Sequence, residues 1–267
     1  MKLNNILIVI RGGGDLATGV AVRIFRAGFS VMILEVNHPT VIRLPVSFAR
    51  AVYEGKAVVE EIEAVLTPSW EKAKDTIKQG KIPVLIDPEG YCIEKLSPAV
   101  LVDAILAKRN LGTKINQAPL VIGLGPGFTA GKDVDAVIET MRGHNLGRVY
   151  YQGQAAPDTG VPGEVGGKSI RRLLRAPAKG KITPLHSIGD IVEAGEAIAE
   201  VEGVPLKAEI PGVLRGLIYP ESQVTKGMKV GDIDPRGIRE YCFTVSDKAR
   251  SIGGAVLEAI CADMNKK

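Results

Sequence analysis

The sequence predicts an α/β protein: a parallel sheet wound with helices, then a small all-β module, then a closing helix. Three observations predict it. Apolar runs alternate with amphipathic stretches through the first part of the chain. Beyond Lys181 the segments shorten into strands separated by Gly or Pro, and from Ser246 to Met264 a helical period returns. These shifts divide the chain into residues 1–172, 173–235 and 236–267. A chain of 267 residues that is 45% hydrophobic can bury a large core. Aromatics are only 4% of it, so that core must be aliphatic.

The run Ile6 to Ile10 empties into Arg11-Gly12-Gly13-Gly14-Asp15-Leu16-Ala17, and an amphipathic helix follows to Gly28. Gly12, Gly14 and Ala17 fit the spacing G-x-G-x-x-A, which marks this part as a Rossmann-like parallel sheet. The first glycine allows a tight turn, the second lets phosphate reach bare backbone, and the small third residue lets helix and strand pack closely. The helix start then offers N–H groups and positive dipole to an anion. A second strand, Ser30 to Leu34, ends at Glu35, about 20 residues past the first glycine, where such folds place an acid on ribose hydroxyls. The expected dinucleotide site therefore contains Gly12, Gly13, Gly14, Asp15, Leu16, Ala17 and Glu35. The bland alternative is a tight strand-to-helix turn with Glu35 merely solvated.

Next come a helical stretch from Leu44 to Tyr53, a short strand at Ala57-Val58-Val59 and a helix near Ser69 to Gln79. Continuous apolar runs at Ile82 to Ile86, Val100 to Val102 and Leu120 to Leu124 read as strands covered on both faces. After the third, Gly123, Gly125, Gly127 and Thr129 form a second glycine turn, expected to face the first across the sheet's carboxyl edge and to open a helix from Val134 to Met141 capped by Asp133. Loop bends that simply need glycine are the other reading. It is no ATPase P-loop: Pro126 stands where that motif's first glycine belongs, and Asp133 replaces its magnesium-binding hydroxyl. Asp103, Lys108 and Arg109 group a carboxylate with two cations behind a buried strand. They read equally as substrate-binding residues or as ion pairs on a surface helix.

The stretch Gly153 to Gly167 is a linker or functional loop. Gly189-Asp190-Ile191-Val192 and Gly195-Glu196-Ala197-Ile198-Ala199 then resemble the recurrent hairpin of the barrel-sandwich fold of biotinyl and lipoyl carrier domains. That resemblance implies a hairpin tip near Val204-Pro205. Pro205 has no amine and Lys207 is out of register, so the module reads as a carrier fold without its carried group.

Net charge is 34 basic minus 30 acidic residues, +4, with no basic stripe interleaved with aromatics, so nucleic acid is not an expected partner. Cys92, Cys242 and Cys261 have no metal-ligand spacing, and no metal site is expected. No apolar stretch approaches the roughly 20 residues that cross a bilayer. The first apolar run is too short for an export signal, so a cytoplasmic location is expected.

Arg11 to Gly19, Asp103 to Asn110, Val121 to Arg142 and Gly160 to Gly167 together resemble the YqeB family, accessory proteins of the selenium-dependent molybdenum hydroxylase system. The likeness runs over essentially the whole chain. It implies a role in maturing such a hydroxylase, with the hydroxylase or its maturation proteins as partners and NAD(P) or molybdopterin dinucleotide as ligand. A weaker likeness, limited to the glycine loop, is to the xanthine dehydrogenase maturation factor family. Two further readings stand beside it: an NAD(P)-dependent oxidoreductase, and a non-catalytic docking scaffold. Homo-oligomerisation stays open.

Overall fold

The computed structural model describes residues 3–161 and 163–266, so Pro162 of the expected functional loop lies outside the described residues. Two compact units emerge. The first comprises Met1–Pro39, Ser47–Thr159 and Val245–Lys267, and the second Thr40–Val46 and Gly160–Thr244.

In the first unit the strands are β1 (Leu7–Arg11), β2 (Ser30–Glu35), β3 (Lys56–Val59), β4 (Ile62–Leu66), β5 (Ile82–Ile86), β6 (Val100–Asp103), β7 (Leu120–Leu124), β8 (Ala136–Ile138) and β9 (Val149–Tyr150). Its helices are α1 (Asp15–Arg26), α2 (Ala51–Glu54), α3 (Trp70–Lys78), α4 (Cys92–Leu96) and α5 (Asp247–Met264). One nine-stranded sheet runs β3-β4-β5-β2-β1-β6-β7-β8-β9. Its middle is parallel from β4 to β8, and both edges are antiparallel.

The sheet is therefore mixed, which corrects the expected Rossmann-like parallel sheet. One physical cause is the β3–β4 connection. Glu60 and Glu61 both take positive φ, 46° and 74°, the two-residue hairpin geometry that turns the chain straight back. That geometry normally calls for Asn-Gly, so nothing in Glu-Glu announced it. The other antiparallel pair is β8–β9 at the far edge, and after β6 residues 104–119 form no helix, so a loop makes the parallel crossover to β7. The helix expected from Val134 to Met141 is also replaced, because Ala136, Val137 and Ile138 are fully buried as β8 beside β7. Asp133 caps nothing there; its carboxylate accepts from the Thr129 N–H at 2.8 Å.

The core explains why these strands form. Ile8, Val9, Ile10, Ile33, Ile82, Leu101, Val121 and Ile122 are all fully buried. Each fully buried aliphatic side chain contributes about 1.5–3 kcal/mol. Ser246 caps α5 by accepting from the Ala249 N–H at 3.2 Å. This helix lies against α1 and beside β7, β8 and β9. The helices approach at small residues: a Cβ added to Gly19 would sit 2.6 Å from the Ala249 Cβ, and one on Gly253 would sit 2.8 Å from the Gly19 carbonyl oxygen.

The second unit holds β10 (Leu173–Arg175), β11 (Gly180–Pro184), β12 (Ile191–Val192), β13 (Ala197–Val201), β14 (Val204–Lys207), β15 (Gly212–Leu217), β16 (Gln223–Val224) and β17 (Lys229–Asp234). They make two four-stranded antiparallel sheets, β10-β17-β15-β12 and β14-β13-β11-β16. Ile182, Ile198, Val201, Leu214, Val230 and Ile233 fill its core. The carrier-like barrel-sandwich module is corrected to this pair of sheets, and its hairpin tip moves. The β13–β14 turn falls at Glu202-Gly203, both at positive φ. Val204 and Pro205 lie within β14, paired with Val201 and Glu200, and Lys207 pairs with Ala197. The segment 40–46 joins this unit by a bridge from Arg43 to Leu217.

Candidate functional site

Strand β1 has β2 on one side and β6 on the other, so the winding direction reverses at the carboxyl end of β1. Ligands of open α/β sheets bind at such a reversal. A cleft of about 420 Å³ opens there, within the usual range for small-molecule sites. Arg11 ends β1 and Gly12 follows it, Leu34 and Glu35 end β2 and Val36 follows them, and Asp87, Pro88 and Glu89 come from the loop after β5. Ile105 and Leu111 close it from the loop after β6.

Glu35 is 8% exposed. Its Oε2 accepts from the Gly13 N–H and its Oε1 from the Val36 N–H, both at 2.7 Å. Burial pushes its carboxyl above the ordinary value of 4.5, and these two bonds only partly oppose the shift. Burial also pushes Asp87 up. There, however, the Cys92 N–H and thiol, together with the Tyr91 and Gly90 N–H groups, outweigh it and hold the carboxyl below its ordinary range. Asp87 thus organises the turn into α4. The Cys92 thiol, desolvated and facing Asp87, is pushed up to about 12.

Behind the cleft lies a buried brace. Arg11 Nη1 donates to Thr113 Oγ1 at 2.6 Å and stands 3.6 Å from Asp103 Oδ2. The Thr113 hydroxyl donates to the same Asp103 oxygen at 2.6 Å. Arg11 Nη2 donates to the Pro88 carbonyl oxygen at 3.0 Å. The guanidinium thereby ties together the ends of β1, β5 and β6; its two terminal nitrogens are committed to protein acceptors, while its buried Nε has no partner.

The expected phosphate cradle is occupied from within. The Gly12 N–H donates to the Leu34 carbonyl oxygen at 2.7 Å, and the Gly13 N–H is held by Glu35. A Cβ on Gly13 would lie 2.9 Å from the Ala49 nitrogen, and one on Gly12 3.0 Å from the Ala104 carbonyl oxygen. Close backbone packing, together with a φ of +91° at Gly12, accounts for these glycines. Gly14 is the N-cap of α1, and Leu16 and Ala17 are buried in its first turn with Asp15 half-buried. None of these four lines the cleft.

The second glycine turn is not the opposite wall. A Cβ on Gly123 would strike Phe128, one on Gly125 the Thr140 side chain, and one on Gly127 the Arg109 backbone at 2.6 Å. Thr129 Oγ1 accepts from Gln154 at 2.8 Å. Of the expected substrate-binding group, Asp103 belongs to the buried brace, while Lys108 points to Asp158 at 2.7 Å. No surface helix forms there either, since Leu106 and Lys108 both have positive φ. Gly12 and Glu35 are the sequence-expected residues that line the cleft. Arg11, Asp87 and Thr113 were missed as site residues, although a charged residue ending a five-residue apolar strand is itself a signal. Among the described residues no group of three His, Cys, Asp or Glu gathers to hold a metal ion, and no helix is long and apolar enough to cross a membrane.

No family model matches the chain. Among solved structures it is similar to an aspartoacylase family protein from Mesorhizobium loti (11% identity, 85% of this chain and 84% of that one, TM-score 0.26). It is also similar to the product-bound ectoine utilization protein EutE (DoeB) from Ruegeria pomeroyi (9% identity, 85% and 56%, TM-score 0.24). A third likeness is to a succinylglutamate desuccinylase/aspartoacylase from Rhodobacter sphaeroides (23% identity, 25% and 22%, TM-score 0.22). At these scores the likeness carries neither a fold nor a reaction.

With the Gly12 and Gly13 amides engaged internally and the cleft lined by carboxylates, the glycine loop does not serve the expected role. This corrects both the dinucleotide-binding maturation protein of a selenium-dependent molybdenum hydroxylase and the NAD(P)-dependent oxidoreductase. The scaffold reading, built on a carrier-like module, falls with that module. The chain is 50% identical over 260 residues, 97% of its length, to "Uncharacterized protein YqeB" of Escherichia coli (strain K12). It spans 48% of that relative, about half its length. Over nearly its whole length the chain is thus similar to about half of that relative.

Proposed function

We propose that the cleft at the carboxyl end of β1 binds a small organic molecule. The observation that carries this reading is a 420 Å³ space at the point where the sheet reverses direction, walled by both apolar side chains and a buried carboxylate. Leu34, Val36, Ile105 and Leu111 offer an apolar surface, and Glu35 offers acceptor positions that orient the ligand. The Arg11–Asp103–Thr113 brace fixes the loops that carry these groups.

Thermal unfolding across a small-molecule collection tests this. A ligand at a hundred times its Kd stabilises the folded state by about 2.7 kcal/mol. Leu111 is 40% exposed, so Leu111→Trp places an indole over the cleft without disturbing a core. Stabilising compounds should lose their effect in Leu111→Trp and keep the unliganded melting point unchanged. Compounds that stabilise both proteins equally would place the binding site elsewhere.

A further inference from the structure

We propose that the ligand of this cleft carries a protonated amine on an apolar body, with Glu35 as its counter-ion. The inference rests on the small-molecule reading above and adds the ligand's charge.

The wall carries one guanidinium and three carboxylates: Arg11 against Glu35, Asp87 and Glu89. Arg11 is 3% exposed and already bonded to Thr113, Asp103 and the Pro88 carbonyl. Of its nitrogens only the buried Nε is without a partner, so a phosphate or carboxylate there would meet a single N–H against three carboxylates in a desolvated space. The carboxylates are not equivalent. Asp87 accepts three N–H groups from its own turn. Glu35 accepts one on each oxygen, and a carboxylate has about four acceptor positions, so both oxygens retain acceptor capacity.

Glu35 is also the group whose environment most favours a cation. Burial disfavours its charge, and an ammonium placed against it would offset that cost. Glu89, exposed at the mouth, adds longer-range attraction. Leu34, Val36, Ile105 and Leu111 complete the recognition by covering the ligand's hydrocarbon part.

The test is calorimetric titration of the whole chain at neutral pH with two matched series. One is phenethylamine, phenethyl alcohol and phenylacetate; the other is hexylamine, hexanol and hexanoate, with inorganic phosphate as an anion control. In each series the amine should bind roughly tenfold more tightly than its alcohol, the difference between a charge-assisted and a neutral hydrogen bond. Glu35→Gln should reduce the amine to the level of the alcohol, and Glu89→Gln should weaken it by a smaller factor without abolishing the preference. Equal or tighter binding of the alcohols or carboxylates would overturn the charge inference while leaving the small-molecule reading intact. Absence of binding by every member would overturn both. If Glu35→Gln fails to fold, the ratio of amine to alcohol in the unmodified chain and in Glu89→Gln still decides.

Discussion

Arg11 and Arg215 are both buried arginines set among carboxylates, one in each unit, and their surroundings differ in a way that separates a site from a brace. Arg215 bonds both Asp232 and Asp234, Arg172 bonds Asp232, and Arg236 bonds Asp234. Asp232 and Asp234 share one face of β17, two residues apart. A register shift between Leu214 and Gly216 places Arg215 opposite them. Three cations thus enclose two anions, and the cluster closes on itself. Around Arg11 the balance is inverted. One cation is held by Asp103, and Glu35 remains on an open wall with acceptor positions unused. Burial of charge alone does not mark a binding site; unsatisfied hydrogen-bonding capacity facing a cavity does.

The largest expected effect lies in the closed cluster. Arg215→Met removes the shared cation and leaves two buried aspartates short of partners, at a cost of about 3–5 kcal/mol in urea unfolding. A loss below about 1 kcal/mol would mean that water already serves the cluster. Arg11→Met should cost less, about 1–3 kcal/mol, because Asp103 keeps the Thr113 hydroxyl and the Ile105 N–H. If Arg11→Met proves the more damaging, the brace and not the β-unit cluster is the tighter structure.

Glu35→Gln sharpens the comparison through pH. The folded state raises the Glu35 carboxyl above its ordinary value of 4.5. Its favourable contribution is therefore fully present below that value and is lost as pH rises through the folded-state value. Measured from pH 4 to 8, the stability of the native chain should fall relative to Glu35→Gln across that rise and then run parallel to it. A difference constant with pH would show that Glu35 is solvated. The smallest effect is expected from Lys108→Ala, within about 1 kcal/mol by thermal melting. Its pair with Asp158 is formed between side chains 58% and 38% exposed. A larger loss would restore the 103–110 segment to the site.

Much of the first unit was legible. The apolar runs at Ile6 to Ile10, Ser30 to Leu34, Ile82 to Ile86, Val100 to Val102 and Leu120 to Leu124 became β1, β2, β5, β6 and β7, because a strand covered on both faces has little choice but continuous apolarity. The α3 and α5 helices followed their caps, Ser69 and Ser246. The β3–β4 hairpin was not legible, since Glu60-Glu61 carries none of the residues that normally hold positive φ. β4 (Ile62–Leu66), masked by Glu63, was missed with it. Val134 to Met141 misled because short apolar stretches satisfy helical and strand periods alike. The glycine turns misled for a different reason: phosphate binding and close packing both demand the absence of a Cβ.

The sequence by itself determined which stretches are buried strands, where α1, α3 and α5 begin, and that Glu35 would end a strand at the carboxyl edge. Those properties depend on local period, capping groups and burial of hydrocarbon. Only the tertiary structure decided that Glu35 would hold the Gly13 amide, that Ala49 and Ala104 would crowd the glycines, and that Arg11 would be committed to Asp103 and Thr113. These partners lie between 22 and 102 residues apart along the chain. A contact at that separation is set by how the whole sheet is wound, so the role of the loop was fixed only when its neighbours arrived.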